Sequence, residues 1–212
     1  MVRKDIKQFI NSIPQHITVV AATKYVGVDD LKVLKENGIT NFGENRVDMF
    51  LDKYQRLNDP SVTWHFIGHL QRNKAKEIIN KIDYIHSLDS LELAKIIDKE
   101  RQSPLKCFVE VSINLEATKN GVPYMELEHF LKELQQYKNI EVVGLMMMSI
   151  KYSDIKSLHD QFSKLRKLRD EMEKKLNIAL PELSMGMSED YEAAIDEGAT
   201  FLRLGRILFD LI

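Results

Sequence analysis

The sequence predicts an α/β fold: a single (β/α)8 barrel of the TIM type with a short capping helix at its N-terminus. Three observations carry this. Eight short apolar runs alternate with helical patterns from Ile17 to Leu204. Strict strand–helix alternation implies a parallel sheet, because each return to the sheet needs a crossover, and eight such units close most economically into a barrel. The first strand is not followed by the G-x-G-x-x-G turn of an open dinucleotide-binding sheet, which is the competing architecture. Such barrels usually run to ~250 residues, so 212 residues imply short loops. With five prolines, nine glycines and no low-complexity linker, residues 1–212 read as one domain.

Taken in order, Ile6, Phe9, Ile10 and Ile13 form a helical stripe that stops at Pro14. The first strand is Ile17-Thr18-Val19-Val20-Ala21-Ala22-Thr23-Lys24, an apolar run that ends in a lysine. A helix through Leu31 and Leu34 stops at Asn37-Gly38. Ile39 to Phe42 is the second strand, followed by a helix carrying Val47, Phe50, Leu51 and Tyr54. Trp64 to Gly68 is the third, followed by a helix through Ala75, Ile78 and Ile79. Tyr84 to Leu88 is the fourth, and Asp89-Ser90 can cap the helix after it. Leu105 to Val111 is the fifth. A long polar loop, Ser112 to Gly121, then precedes a helix from Tyr124 to Tyr137. Glu141 to Met146 is the sixth strand. Asp154 to Leu176 has the clearest helical period of the chain. Pro181 to Gly186 is the seventh strand, with Ser188 expected to cap the next helix. Thr200 to Leu204 is the eighth, and Gly205-Arg206 opens a last short helix.

Composition excludes several function classes. Hydrophobic residues make up 44% and charged residues 29%, with a net charge of -2 and the two signs interleaved. That argues against nucleic-acid binding through a bulk basic surface. No apolar run approaches the ~18 residues of a membrane span, and Asp5, Lys7 and Gln8 interrupt any signal-peptide core. The one cysteine, Cys107, reads as core and allows no intrachain disulfide. A cytoplasmic monomer is expected. His65 and His69 are four apart, but on a strand and turn that spacing shares no face, so no metal site is expected.

A barrel carries its active face at the C-terminal ends of its strands. Those ends read Lys24; Gly43-Glu44-Asn45; Gly68-His69; Ser87 and Asp89; Asn114; Met147-Met148-Ser149; Gly186-Met187-Ser188; and Arg203-Leu204-Gly205-Arg206. The last two sets resemble the phosphate cradle that barrels often build there. Ser184, Gly186 and Ser188 offer hydroxyls and a close-approach glycine. Gly205, flanked by Arg203 and Arg206, offers a second turn beside guanidinium groups suited to phosphate. Taken singly, these are a cap and two turn glycines. Taken together they favour a phosphorylated ligand, and barrel closure sets Lys24 ~10 Å away, two strand spacings from the seventh strand end. Burial among Ala21 and Ala22 would make its amine a nucleophile. Pyridoxal phosphate and a sugar phosphate handled by a Schiff-base aldolase both meet these demands.

These residues resemble the pyridoxal phosphate homeostasis proteins, which share the barrel of the alanine racemase N-terminal domain. The resemblance rests on Ala22-Thr23-Lys24, Phe42-Gly43-Glu44-Asn45, Trp64-His65-Phe66-Ile67-Gly68 with Leu70-Gln71-Arg72-Asn73-Lys74, and Glu116, Lys119 and Gly121. It continues through Gly144-Leu145-Met146, Leu183-Ser184-Met185-Gly186-Met187-Ser188 and Arg203-Leu204-Gly205-Arg206. It implies pyridoxal 5'-phosphate as cofactor, held as a Schiff base on Lys24. It implies that Ser184, Gly186, Ser188, Gly205 and Arg206 surround the phosphate, that Asn45 lines the ring pocket, and that Arg203 approaches the ring nitrogen or the phosphate. It implies a role in vitamin B6 homeostasis, with amino acids and pyridoxal-phosphate enzymes as partners. His69, Arg46 and the terminal Phe209 to Ile212 depart from the family pattern. A racemase needs an acid/base on each side of the substrate carbon. In the resembled racemase a tyrosine of an additional C-terminal domain is the second base, and this chain stops with its barrel. A non-catalytic carrier is therefore expected ahead of a weak racemase, and an aldolase last.

Overall fold

Successive strands pair in parallel until the last meets the first. The structure is a computed structural model in which residues 1–113 and 120–210 are described. The strands are β1 (Thr18–Ala22), β2 (Asn41–Glu44), β3 (Thr63–Phe66), β4 (Tyr84–Leu88), β5 (Leu105–Ser112), β6 (Val122–Pro123), β7 (Ile140–Met146), β8 (Glu182–Ser184) and β9 (Phe201–Leu204). β5 passes directly to β7, and β9 closes the ring on β1 with Val20 opposite Arg203. Eight of these strands make the expected barrel. The two-residue β6 is additional. β5 overshoots its neighbours, and its last residues Val111 and Ser112 take Val122 and Pro123 as partners. A two-residue strand has no period to read in sequence.

Eight α-helices accompany the strands among the described residues: α1 (Ile6–Ser12), α2 (Val28–Glu36), α3 (Val47–Leu57), α4 (Arg72–Ile78), α5 (Leu91–Glu100), α6 (Leu127–Leu134), α7 (Ile155–Leu176) and α8 (Tyr191–Asp196). Their ends follow local chemistry. Ser90 Oγ accepts from the Leu93 amide at 3.4 Å and Asp154 Oδ1 from the Ser157 amide at 2.7 Å, as N-caps do. α3 and α7 stop at Asn58 and Asn177, both left-handed. Three helices differ from the sequence reading. α6 starts at Leu127 because Tyr124–Glu126 winds as a 3-10 turn after Pro123. α8 starts at Tyr191 with Asp190 before it, not at Ser188. The last helix is a 3-10 turn, Arg206–Leu208.

Alternation along the strands separates two cores. Val20, Phe108, Val143, Met146 and Phe201 fill the barrel. Ala21, Phe42, Val109, Leu145, Leu183, Leu202 and Leu204 face outward into the larger layer beneath the helices. α1 lies in that outer layer, with Phe9 edge-on to Tyr191 of α8 at 5.9 Å. The N-terminal segment pairs with the end of the described chain through a Val2–Phe209 bridge. Cys107 is buried, as expected of a core thiol, and burial pushes its pKa up. No helix among the described residues is long and apolar enough to cross a membrane.

Candidate functional site

Lys24 stands two residues beyond the end of β1, in a turn. The Thr23 hydroxyl donates to Glu44 Oε1 at 2.5 Å. The sequence reading expects a Lys24 amine buried among Ala21 and Ala22. Instead the chain leaves the sheet at Ala22 and the side chain is exposed, its amine 4.7 Å from the ring centre of Tyr25. What is buried is the seat beneath it. Lys53 reaches in from α3 and donates to the Thr23 carbonyl at 2.6 Å and to Glu44 Oε1. Thr23, Glu44 and Lys53 are all buried. Glu44 Oε2 has no hydrogen-bond partner among the described residues.

Across the closing seam lies the turn after β9. A Cβ placed on Gly205 would stand 3.6 Å from Ala22, so the two strand ends are in contact. Ser188 Oγ accepts from the Gly205 amide at 3.1 Å and from the Ile207 amide at 3.3 Å. Ser188 thus caps the neighbouring 3-10 turn rather than its own helix. Gly186 has φ +91, and a Cβ there would fall 2.6 Å from Ala194 Cβ and 2.8 Å from Leu202 Cδ2. Glycine is what lets the chain turn there. Asp190 Oδ1 accepts from the Met187 amide at 2.5 Å, and its other oxygen accepts from the Ser149 hydroxyl. The ends of β7, β8 and β9 are thereby tied together. Arg206 is exposed and pairs with Glu189.

Ser184 and Arg203 lie deeper. Ser184 is fully buried inside the barrel, where its Oγ accepts from Arg203 Nη1 at 2.6 Å and faces His86 Nδ1 at 2.8 Å. It therefore supports Arg203 from within the barrel. Arg203 Nη2 donates to the Met147 carbonyl at 2.8 Å. Burial pulls the Arg203 pKa down to about 10, against the opposing pull of Glu110 and Asp190.

Carboxyl groups complete the mouth. Glu110, one residue pair from the end of β5, has its pKa pushed up to about 7 by burial and by the charge of Asp89. The Asp89 pKa is also raised by burial, and His69 Nδ1 lies 3.6 Å from its Oδ2. His69, Asp89, Arg72 and Glu92 line a groove at the ends of β3 and β4. Asn45 follows β2 with its backbone against Gly68, where a Cβ would sit 2.3 Å from the Asn45 carbonyl. Its Oδ1 is buried without a hydrogen-bond partner among the described residues. Among those residues no group of three or more His, Cys, Asp or Glu could hold a metal ion.

The alanine racemase N-terminal domain model matches residues 2–211. A pyridoxal phosphate homeostasis protein of Aquifex aeolicus is 40% identical over 194 residues, covering 90% of this chain and 85% of that protein. The chain belongs to the pyridoxal phosphate homeostasis protein family. PipY of Synechococcus elongatus has a structure with PLP bound. It matches with a TM-score of 0.90 at 30% identity, over 96% of this chain and 99% of that one. An alanine racemase of Clostridium difficile shares the fold at 16% identity and a TM-score of 0.82, and there the match spans all of this chain but 58% of the racemase.

Within this homeostasis-family barrel, Lys24, Asn45, Gly186, Ser188, Gly205 and Arg206 lie at the strand ends, and Arg203 and Ser184 lie below them. Asn114, Glu116 and Lys119 lie outside the described residues. Sequence reasoning missed the seat formed by Glu44 and Lys53. The signal available was Lys53 itself, a lysine between Phe50 and Tyr54 on the apolar side of its helix. It also missed the pairing of His65 with His86, which register alone creates.

Proposed function

We propose that this protein binds pyridoxal 5'-phosphate at the barrel mouth, with Lys24 as its covalent tether, and serves intracellular handling of that cofactor. The observation that carries the reading is the contact of Gly205 with Ala22, which sets an anion-binding turn beside the strand that delivers the amine. Two features of the chain favour the fit. Ser188 Oγ accepts from the Gly205 and Ile207 amides, which fixes the hydroxyl beside the turn and leaves its own proton to donate to a phosphate oxygen. Asn45 Oδ1 is buried and has no partner among the described residues, which suits a ring substituent able to donate.

When bound, the cofactor supplies an aldehyde carbon and a conjugated ring that withdraws electrons. The chain's residues then divide the work. Lys24 offers an accessible amine. Ser188, Gly186 and Gly205 shape the turn around the phosphate, and Arg206 exchanges Glu189 for it. Arg203 can only donate, so a ring nitrogen that accepts from it keeps its lone pair and carries no proton. That weakens the ring as an electron sink and favours holding over catalysis. The family setting extends the reading to amino acids as second ligands, to passing contacts with pyridoxal-phosphate enzymes, and to a monomer in the cytoplasm.

Weak racemisation is the second reading, and Glu110 favours it. A carboxyl with its pKa near 7 beside Arg203 can hold or release a proton at the mouth. One experiment separates the readings. Purified protein is mixed with pyridoxal 5'-phosphate, scanned for absorbance, reduced with borohydride and mapped by peptide. A pyridoxyl group on Lys24 without turnover of alanine supports the carrier. An adduct mapped to another lysine overturns the site, and robust racemisation lost in Lys24→Ala overturns the non-catalytic reading.

A further inference from the structure

Arg203 is the first member of a hydrogen-bonded series that crosses the barrel interior to Asn41, at the start of β2. The separations are 2.6 Å from Arg203 Nη1 to Ser184 Oγ and 2.8 Å from Ser184 Oγ to His86 Nδ1. They continue with 3.0 Å from His86 Nε2 to His65 Nδ1 and 2.9 Å from His65 Nε2 to Asn41 Oδ1. Both rings are clamped: His65 stacks on Tyr84 at 4.6 Å and His86 lies 4.5 Å from Phe108.

The direction of every bond follows from its two ends. A guanidinium has no acceptor, so Ser184 Oγ accepts from Arg203. The arrangement that also spends the Ser184 proton within the series sends it to His86 Nδ1, which then presents a lone pair. A neutral His86 therefore carries its proton on Nε2 and gives it to His65 Nδ1. By the same step His65 carries its proton on Nε2 and gives it to the Asn41 carbonyl oxygen, which ends the series. Reversed, His65 Nε2 would set a lone pair against Asn41 Oδ1, and the Ser184 proton would lose its acceptor. Burial agrees with neutral rings: it pulls the His65 pKa down to about 3, and that of His86 well below its ordinary value.

We propose that His86 and His65 are positioning residues for Arg203: a one-way hydrogen-bond chain ending on Asn41 locks Ser184 as an acceptor and so aims the guanidinium at the mouth, toward the acceptor nitrogen of an aromatic ring ligand. The ring-ligand half rests on the reading of the mouth as a pyridoxal phosphate site. The chain of bonds does not.

The test has two arms. Histidine 15N–1H correlation spectra of the full chain report ring tautomers directly. Both rings are expected as the Nε2–H form, without titration from about pH 5.5 to about 8. An Nδ1–H tautomer or an imidazolium on either ring in that window overturns the chain of bonds. In the second arm pyridoxal 5'-phosphate is titrated into native protein, Ser184→Ala and Ser184→Thr. Losing a hydrogen bond to a charged group is expected to weaken binding roughly tenfold in Ser184→Ala and to shift its absorbance band, with the borohydride adduct still on Lys24. Ser184→Thr, which keeps the hydroxyl, is expected to restore both. An unchanged affinity and band in Ser184→Ala overturns the positioning role. An adduct absent from Lys24 in native protein overturns the ring-ligand half together with the site reading, whatever the tautomers are.

Discussion

Lys53 and Glu44 form an ion pair inside the core, 2.5 Å apart, and the same ammonium holds the Thr23 carbonyl one residue before Lys24. Removing one partner leaves the other charged and buried. Lys53→Met is expected to cost about 3–5 kcal/mol in urea unfolding. The double variant Glu44→Leu with Lys53→Met is expected to recover much of that loss, because no unpaired charge remains. If the single variant matches native stability, the pair does not hold the seat.

Ser188 joins the ends of β8 and β9 through two amides. Ser188→Ala leaves the Gly205 and Ile207 N–H groups without that acceptor. A stability loss of about 1–2 kcal/mol is expected, typical of a lost cap. Pyridoxal 5'-phosphate affinity is expected to fall as well, while inorganic phosphate competes less well than with native protein. Equilibrium dialysis of both ligands checks this.

Gly186 combines a left-handed backbone with a crowded Cβ position. Gly186→Ala is expected to destabilise by about 2 kcal/mol or more, from backbone strain and overpacking against Ala194 and Leu202. Gly27 is a control with open space around its Cβ position. Gly27→Ala is expected to change the thermal midpoint little.

Acid stability depends on the barrel interior. His65 titrates near 6.5 when unfolded and at about 3 when folded, and the His86 pKa is lowered too. A lowered pKa gives stability that is full above 6.5 and is lost as pH falls toward 3. The expected slope is about 1.4 kcal/mol per pH unit for each ring. Glu110 acts in the opposite sense. Its pKa rises from 4.5 to about 7 on folding, so its contribution is full below 4.5 and is lost as pH rises to 7. Urea titrations are expected to show greatest stability near about pH 6.5. Glu110→Gln is expected to stabilise above pH 7 and to match native protein near about pH 4. A stability that keeps rising from pH 6.5 to 8 in native protein would contradict the Glu110 assignment.

Much of the fold is legible because barrel strands buried on both faces read as continuous apolar runs, as Val19-Val20-Ala21-Ala22 does. The mouth is legible where chemistry clusters in sequence: Lys24 closes an apolar run, and Ser188 and Gly205 sit in short polar turns. What is hidden depends on strand parity and register. Glu44 belongs to a mouth-like triplet in sequence, but β2 runs on through it and turns its side chain outward under α3. Ser184 shares a stretch with Ser188, yet it still lies within β8, where alternation with the outward Leu183 turns it into the barrel, and Ser188 lies past the strand end. His65 and His86 meet because β3 and β4 pair with His65 opposite Tyr84. No local period reports such a cross-strand contact.

The first residues of the chain also reach the site. The Ile207 amide rests on Ser188, and the Ile207 carbonyl accepts from Arg3 Nη1 at 3.0 Å. The Arg3 amide bonds the Leu208 carbonyl at 3.1 Å, and the Met1 carbonyl takes the Asp210 amide at 2.9 Å. Ile207 of the turn after β9 is thus held at its amide by Ser188 and at its carbonyl by the N-terminal segment. An affinity tag fused ahead of Met1 is therefore not a neutral handle. It pulls on the strap that keeps this turn in shape, and ligand affinities are best compared on protein whose N-terminal tag has been removed.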